Sequence, residues 1–195
     1  MLIPFFVSTG VVTLSEIGDK TQLLAFILAT KFKNPKPIIA GILVATLINH
    51  GFAGAIGAWL TSLTTPSTMS LILGITFIAM AIWIMIPDKY TDEDEKFVKM
   101  GVFGTTVVTF FLAEMGDKTQ IATIALAANY HTLIPVVAGT TLGMLIADVP
   151  AVFLGNKAAK KFPLHIVRSV AAVVFVLLGL ISFANAYDPN LLNLF

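Results

Sequence analysis

The chain has 195 residues, 57% of them hydrophobic and only 12% charged, with a mean hydropathy of +0.91, and this composition excludes an ordinary soluble domain. The net charge of +1 arises from cations scattered in short loops, so there is no continuous basic face for nucleic acid. The absence of Cys removes disulfides, thiolate metal sites and thiol nucleophiles together.

A membrane span needs about 20 apolar residues. The breakers divide the chain into six such stretches, predicting helices at roughly 2–31, 37–61, 68–87, 99–128, 134–157 and 166–186. No cationic segment precedes the first, and it contains Glu16 and Asp19, so it is expected to be a retained span rather than a cleaved signal. Within it stands Glu16-Ile17-Gly18-Asp19-Lys20-Thr21-Gln22, a polar cluster inside a long apolar run. Charges there are costly and point to use. In a continuous helix Glu16 and Asp19 share a face, Gln22 extends it, and Lys20 is placed to pair with Glu16. At 1.5 Å per residue the cluster lies about 20 Å from either end, near the bilayer midplane. Gly18 allows either close helix approach or a locally opened helix with exposed carbonyls.

The second helix carries small residues every four positions, at Gly41, Ala45, Asn49, Ala53 and Gly57, with His50 beside the stripe. Such stripes let helices approach closely in lipid, so this helix is expected to pack on a motif helix. Trp59 and Trp83, near helix ends, read as interfacial anchors. Residues 88–98 form an acidic loop, which lacks the spaced D-x-D-x-D-G of a calcium loop and is expected to be solvated.

In the fourth helix the motif returns, 98 positions on, as Glu114-Met115-Gly116-Asp117-Lys118-Thr119-Gln120. The same offset superposes Pro37 on Pro135, Leu47-Ile48 on Leu145-Ile146, and Phe77 on Phe175. It also places a second stripe, Gly139, Gly143, Ala147, Ala151 and Gly155, in the fifth helix and sets Asp148 in the position of His50. The chain is therefore expected to be two copies of a three-helix unit, residues 1–87 and 99–195, joined by the acidic loop. Three is odd, so the second copy enters from the opposite side, giving six transmembrane helices as two inverted repeats. Lys31, Lys33, Lys36, Lys89, Lys96, Lys99, Lys157, Lys160, Lys161 and Arg168 then share one side. By the positive-inside rule that side is cytoplasmic, and both termini lie outside it.

Inverted symmetry brings the motifs face to face. Four carboxylates, Glu16, Asp19, Glu114 and Asp117, against the balancing cations Lys20 and Lys118 leave minus two, which a divalent cation would neutralise. Gln22, Gln120 and Asn49 add hard oxygen donors, a set suited to Ca²⁺, Mn²⁺ or Mg²⁺ rather than Zn²⁺ or Cu⁺. Asp148 and His50 are the candidate proton carriers, and Gly116 plays the part of Gly18. Met115 is turned away from the carboxylate face and is expected to pack in the core.

The paired E-x-G-D-[KR]-[TS] motifs, EIGDKTQ and EMGDKTQ, with two three-helix repeats around them, resemble the Ca²⁺/Mn²⁺ cation/proton exchanger family over essentially the whole chain. The size is similar to the compact bacterial, MneA-type manganese exporters. The resemblance implies a bacterial inner-membrane transporter, not an enzyme, with no resident cofactor, that moves Mn²⁺ out of the cytoplasm against protons. It also implies that Glu16, Asp19, Glu114 and Asp117 hold the metal. Expelling a divalent cation from a negative compartment costs about 4.6 kcal/mol per 100 mV, and no G-x-x-x-x-G-K-[ST] loop is present to supply it. Spacing and charge alone leave Ca²⁺ open, and also a six-helix exporter of another small cationic solute. A passive channel would lack proton coupling. An intramembrane aspartyl protease fits poorly, since Glu stands where its G-x-G-D has Gly and each Asp is followed by Lys.

Overall fold

Proline and glycine decide where the helices of this chain begin and where they break. The computed structural model describes residues 2–86, 100–154 and 164–187. The acidic loop and its lysines, Lys99, Lys157, Lys160, Lys161 and Gly155 lie outside these. The described residues form eight helices: α1 (Leu2–Glu16), α2 (Lys20–Phe32), α3 (Pro35–Thr61), α4 (Pro66–Ile84), α5 (Gly101–Glu114), α6 (Lys118–Tyr130), α7 (Ile134–Leu154) and α8 (Leu164–Tyr187). Among the described residues there is no strand.

Pro35 and Pro66 occupy the first turns of α3 and α4, where a missing N–H costs nothing. Thr65 caps α4 by accepting the Thr68 N–H at 3.3 Å. Four helices, α3, α4, α7 and α8, are long and apolar enough to cross a membrane, and α1 with α2 make a fifth candidate as a bent pair. The 14 residues of α5 are apolar but span only about 21 Å.

The main departure from the predicted elements is at the motifs. The continuous helices expected over 2–31 and 99–128 are each two helices, split at Gly18 and Gly116. The backbone there has φ of 84° and 74°, a left-handed conformation that terminates an α-helix. The first pair bends by 72°, so distance along the chain no longer measures depth, and the figure of 20 Å from either end does not apply. The breaks also remove the i, i+3 relation of Glu16 to Asp19 and of Glu114 to Asp117 as a source of alignment. The local geometry recurs with the sequence: α2 ends at Lys33 with φ 52°, and α6 ends 98 positions later at His131 with φ 51°.

Helices from one half lie on helices from the other. α1 runs along α7 while α5 runs along α3, and α2 contacts α7 while α6 contacts α3. The stripes of small residues are where they touch. A Cβ at Gly41 would stand 2.6 Å from the Thr106 Cβ, and one at Gly143 would stand 2.7 Å from the Thr9 carbonyl oxygen. α4 packs along α8, where Phe77 meets Phe175 with ring centroids 6.3 Å apart. Two apolar clusters result, one around Phe77, Met80, Leu126 and Phe175, the other around Ile38, Ile42, Phe110 and Met144.

Candidate metal centre

Each break is held open by its own glutamine. The Gln22 Oε1 accepts the Gly18 N–H at 3.0 Å, and the Gln120 Oε1 accepts the Gly116 N–H at 2.7 Å, so each amide freed by the left-handed glycine is satisfied four residues on. The other ends of these side chains reach across to the opposite half. Gln22 Nε2 donates to the Ala147 carbonyl at 2.9 Å, and Gln120 Nε2 donates to the Asn49 Oδ1. Ala147 and Asn49 are equivalent under the 98-residue offset. Asn49 in turn donates to the Phe111 carbonyl at 3.3 Å.

Asp19 and Asp117 then occupy the N-cap positions of α2 and α6 with extended backbones, φ −88° and −81°, yet neither side chain makes the capping hydrogen bond. Their carboxylates are turned elsewhere. Oxygens of Glu16, Asp19 and Asp117 converge within 4.8 Å of one another, and all three residues are buried. Glu114 is not part of that trio, although Glu16 lies within electrostatic range of Glu114, Asp148 and Asp117. Thr21 donates to the Glu16 Oε2 at 2.6 Å, and Thr119 donates to the Glu114 Oε2 at 2.8 Å. The second oxygen of each glutamate, Oε1, has no hydrogen-bond partner among the described residues; nor has the Asp117 Oδ2 or either oxygen of Asp148. Buried carboxylate oxygens are costly to leave without a partner, and hard oxygens at this spacing have the chemistry to hold a cation.

Lys20 departs from the expected pairing. Lys20 does not pair with Glu16; its Nζ reaches across to the Asp117 Oδ1 at 3.0 Å, because the break swings α2 away from the face of α1. Lys118 is buried and donates to the Ile86 carbonyl at 3.1 Å, beyond the end of α4. His50 is fully buried, and both ring nitrogens lack a hydrogen-bond partner among the described residues. Met115 is 58% exposed, so it is not the core residue expected. A Cβ added at Gly116 would meet nothing within 4 Å, so this glycine contributes its positive φ and not close approach.

One participant was not anticipated from sequence. Arg168, counted among the cytoplasmic-side cations and lying near the start of the predicted sixth helix, stands in α8 and donates from Nη2 to the Gly18 carbonyl at 3.2 Å. It is the sole arginine of the chain, which was the available signal.

The family described as "Divalent cation/proton antiporter GDT1" matches this sequence twice, over residues 4–92 and 102–190. The two matches are offset by the same 98 positions as the motifs. The chain belongs to the GDT1 family. Among its relatives, a Vibrio cholerae protein named "Putative manganese exporter" is 46% identical over 175 residues, covering 89% of this chain and 87% of that protein. A GDT1-like protein of Synechocystis is 31% identical over 204 residues, covering 94% and 98% respectively. The GDT1-like protein 3 of rice is 28% identical over 212 residues, covering 94% of this chain and 74% of that protein. No solved structure matches the chain. Membership of GDT1 makes this an integral membrane transporter of the cation/proton antiporter class.

Proposed function

We propose that this GDT1 member exports Mn²⁺ from the cytoplasm in exchange for protons. The observation that carries the proposal is the trio Glu16, Asp19 and Asp117, whose buried oxygens converge from the two helix breaks. Three carboxylates less the paired Lys20 ammonium leave minus two, the charge a divalent cation neutralises. The donors are hard oxygens, which suit Mn²⁺ and also accept Ca²⁺. The Vibrio cholerae relative favours Mn²⁺.

In this reading Glu16, Asp19 and Asp117 ligate the metal, and Glu114 completes the set as the two halves rearrange. Gln22, Gln120 and Asn49 hold the breaks in shape, with Gly18 and Gly116 supplying the turn. Lys20 and Lys118 balance charge, and Asp148 and His50 carry protons. Residues 1–87 and 99–195 form two three-helix units, α1 with α2 and α5 with α6 each counting as one broken span, so that six spans make an inverted repeat. Support comes from equivalent contacts: Phe77 touches its own counterpart Phe175, and the pairing of α1 with α7 matches that of α5 with α3. A residue meeting its own repeat image lies beside a pseudo-twofold axis. The membrane is a bacterial inner membrane, both termini are non-cytoplasmic, and rocking of the repeats exposes the carboxylates to each side in turn.

Metal uptake into inside-out vesicles, with Mn²⁺, Ca²⁺ and Mg²⁺ compared with and without a pH gradient, tests this directly. Mn²⁺ uptake coupled to proton release is expected, and Glu16→Gln or Asp117→Asn should abolish it. Transport by either variant at the parental rate sinks the ligand assignment; uptake indifferent to the pH gradient sinks the exchange.

A further inference from the structure

Arg168 stands one turn inside α8, in a span with no other Asp, Glu, Lys or Arg between 164 and 187. The 98-residue offset places Ser70 at the equivalent position, so this charge belongs to one half only. It is a cation near the end of the span with no counterpart in the other half, so whatever it does it does for the first break alone. Its hydrogen bond, 3.2 Å to the Gly18 carbonyl, goes to the backbone oxygen that the first break releases. Gly18 precedes the N-cap Asp19, so its carbonyl lies outside the ladder of α2, and its positive φ removes it from that of α1. That oxygen is one residue from Asp19 and two from Glu16. The helix contacts are unequal in the same sense: α8 packs on α1, whereas its equivalent α4 packs on α6.

We propose that Arg168 and the transported cation compete for the first break, so that α8 releases the Gly18 carbonyl when a divalent ion is bound by Glu16, Asp19 and Asp117. The proposal rests on the exchanger reading above. A guanidinium does not deprotonate in a protein, so it answers an arriving positive charge by moving and not by neutralising. The carbonyl it holds is also a hard oxygen of the kind a Mn²⁺ or Ca²⁺ ion takes. Both effects oppose simultaneous occupancy. Arg168 is thus a positioning residue. It reports the loading of the site to α8, and because Ser70 cannot do the same, it makes the two halves of the transport cycle unequal.

The test uses the full chain in detergent and in vesicles, with Mn²⁺ as the probe. Arg168→Gln should bind Mn²⁺ about fivefold or more tightly, in the range of ordinary coupling between sites, with KM lowered and kcat lowered together. Arg168→Lys, which keeps the charge, should stay within about twofold of the parent affinity. Hydrogen exchange of the unaltered protein adds a readout that needs no variant: Mn²⁺ should raise exchange in residues 164–172. Parental affinity and kcat in Arg168→Gln, weakened Mn²⁺ binding with a lowered Tm, or an α8 segment indifferent to Mn²⁺ each overturns the proposal. Failure of the unaltered chain to bind Mn²⁺ overturns the exchanger reading with it, and so is told apart from the other three.

Discussion

Alanine at Gly116 isolates the contribution of the helix break from everything else at the site. The backbone there has φ 74°, and a Cβ would meet nothing within 4 Å, so the cost of the substitution is conformational alone. For an L-residue in the left-handed region that cost is about 1–2 kcal/mol. The same alanine favours a continuous helix by roughly 0.5–1 kcal/mol relative to glycine. Together they bias α5 and α6 towards straightening by about 1.5–3 kcal/mol, and straightening would carry Asp117 away from Glu16 and Asp19. At 1.4 kcal/mol per tenfold, the population with a formed trio would fall by about 10- to 100-fold wherever broken and straight forms are close in energy. Mn²⁺/proton exchange in proteoliposomes, normalised to protein inserted, reads this. Gly10→Ala is the control, since it also has open space but sits at an ordinary helical position, and it should transport normally. Asn tolerates left-handed backbone better than Ala does, so the expected order of activity is Gly, then Asn, then Ala. Equal transport by Gly116→Ala and the parent would refute the claim that the break sets the site.

Other substitutions probe the supports. Gln22→Leu leaves the Gly18 N–H without its acceptor, at about 1–3 kcal/mol, and removes the link from α2 to the Ala147 carbonyl of α7; Tm in detergent should drop and transport should fail, whereas Gln22→Glu, which keeps an acceptor for Gly18, should lose less. Gly143→Val places its Cβ 2.7 Å from the Thr9 carbonyl and 3.0 Å from the Thr13 nitrogen, so it should lower Tm and yield by forcing α1 off α7, while Gly51→Ala, with open space, should not. Mn²⁺ at 100 times its dissociation constant should stabilise the parent by about 2.7 kcal/mol, seen as a rise in thermal midpoint that Asp117→Asn abolishes.

How much of this was open to reading in the residues differs between the helices and the site. Periodic polarity, the 98-residue offset and the stripes at Gly41 and Gly143 are properties of local order, and they sufficed for the helical class and for the idea that α3 and α7 receive motif helices. The split at Gly18 was visible only as one of two options, since glycine permits a left-handed backbone but does not require it; the hydrogen bond from the Gly18 N–H to Gln22 decides the matter. Gln22 and Gln120 were read as candidate oxygen donors, and the fold adds a part the sequence did not show: each Oε1 accepts the glycine N–H of its own break while each Nε2 reaches the other half.

The covalent chain by itself determined that acidic groups would lie within an apolar protein, twice, at matched positions, because no soluble surface was available to take them. Only the tertiary structure decided which of them meet. Lys20 answers Asp117 and not Glu16, Glu114 is not one of the converging trio, and Arg168, read only as a charge marking one side of the membrane, holds the Gly18 carbonyl. The physical reason is that a helix break re-aims side chains by the angle between two rods, here 72° in the first pair, and that angle is set by what the rods pack against in the other half of the molecule.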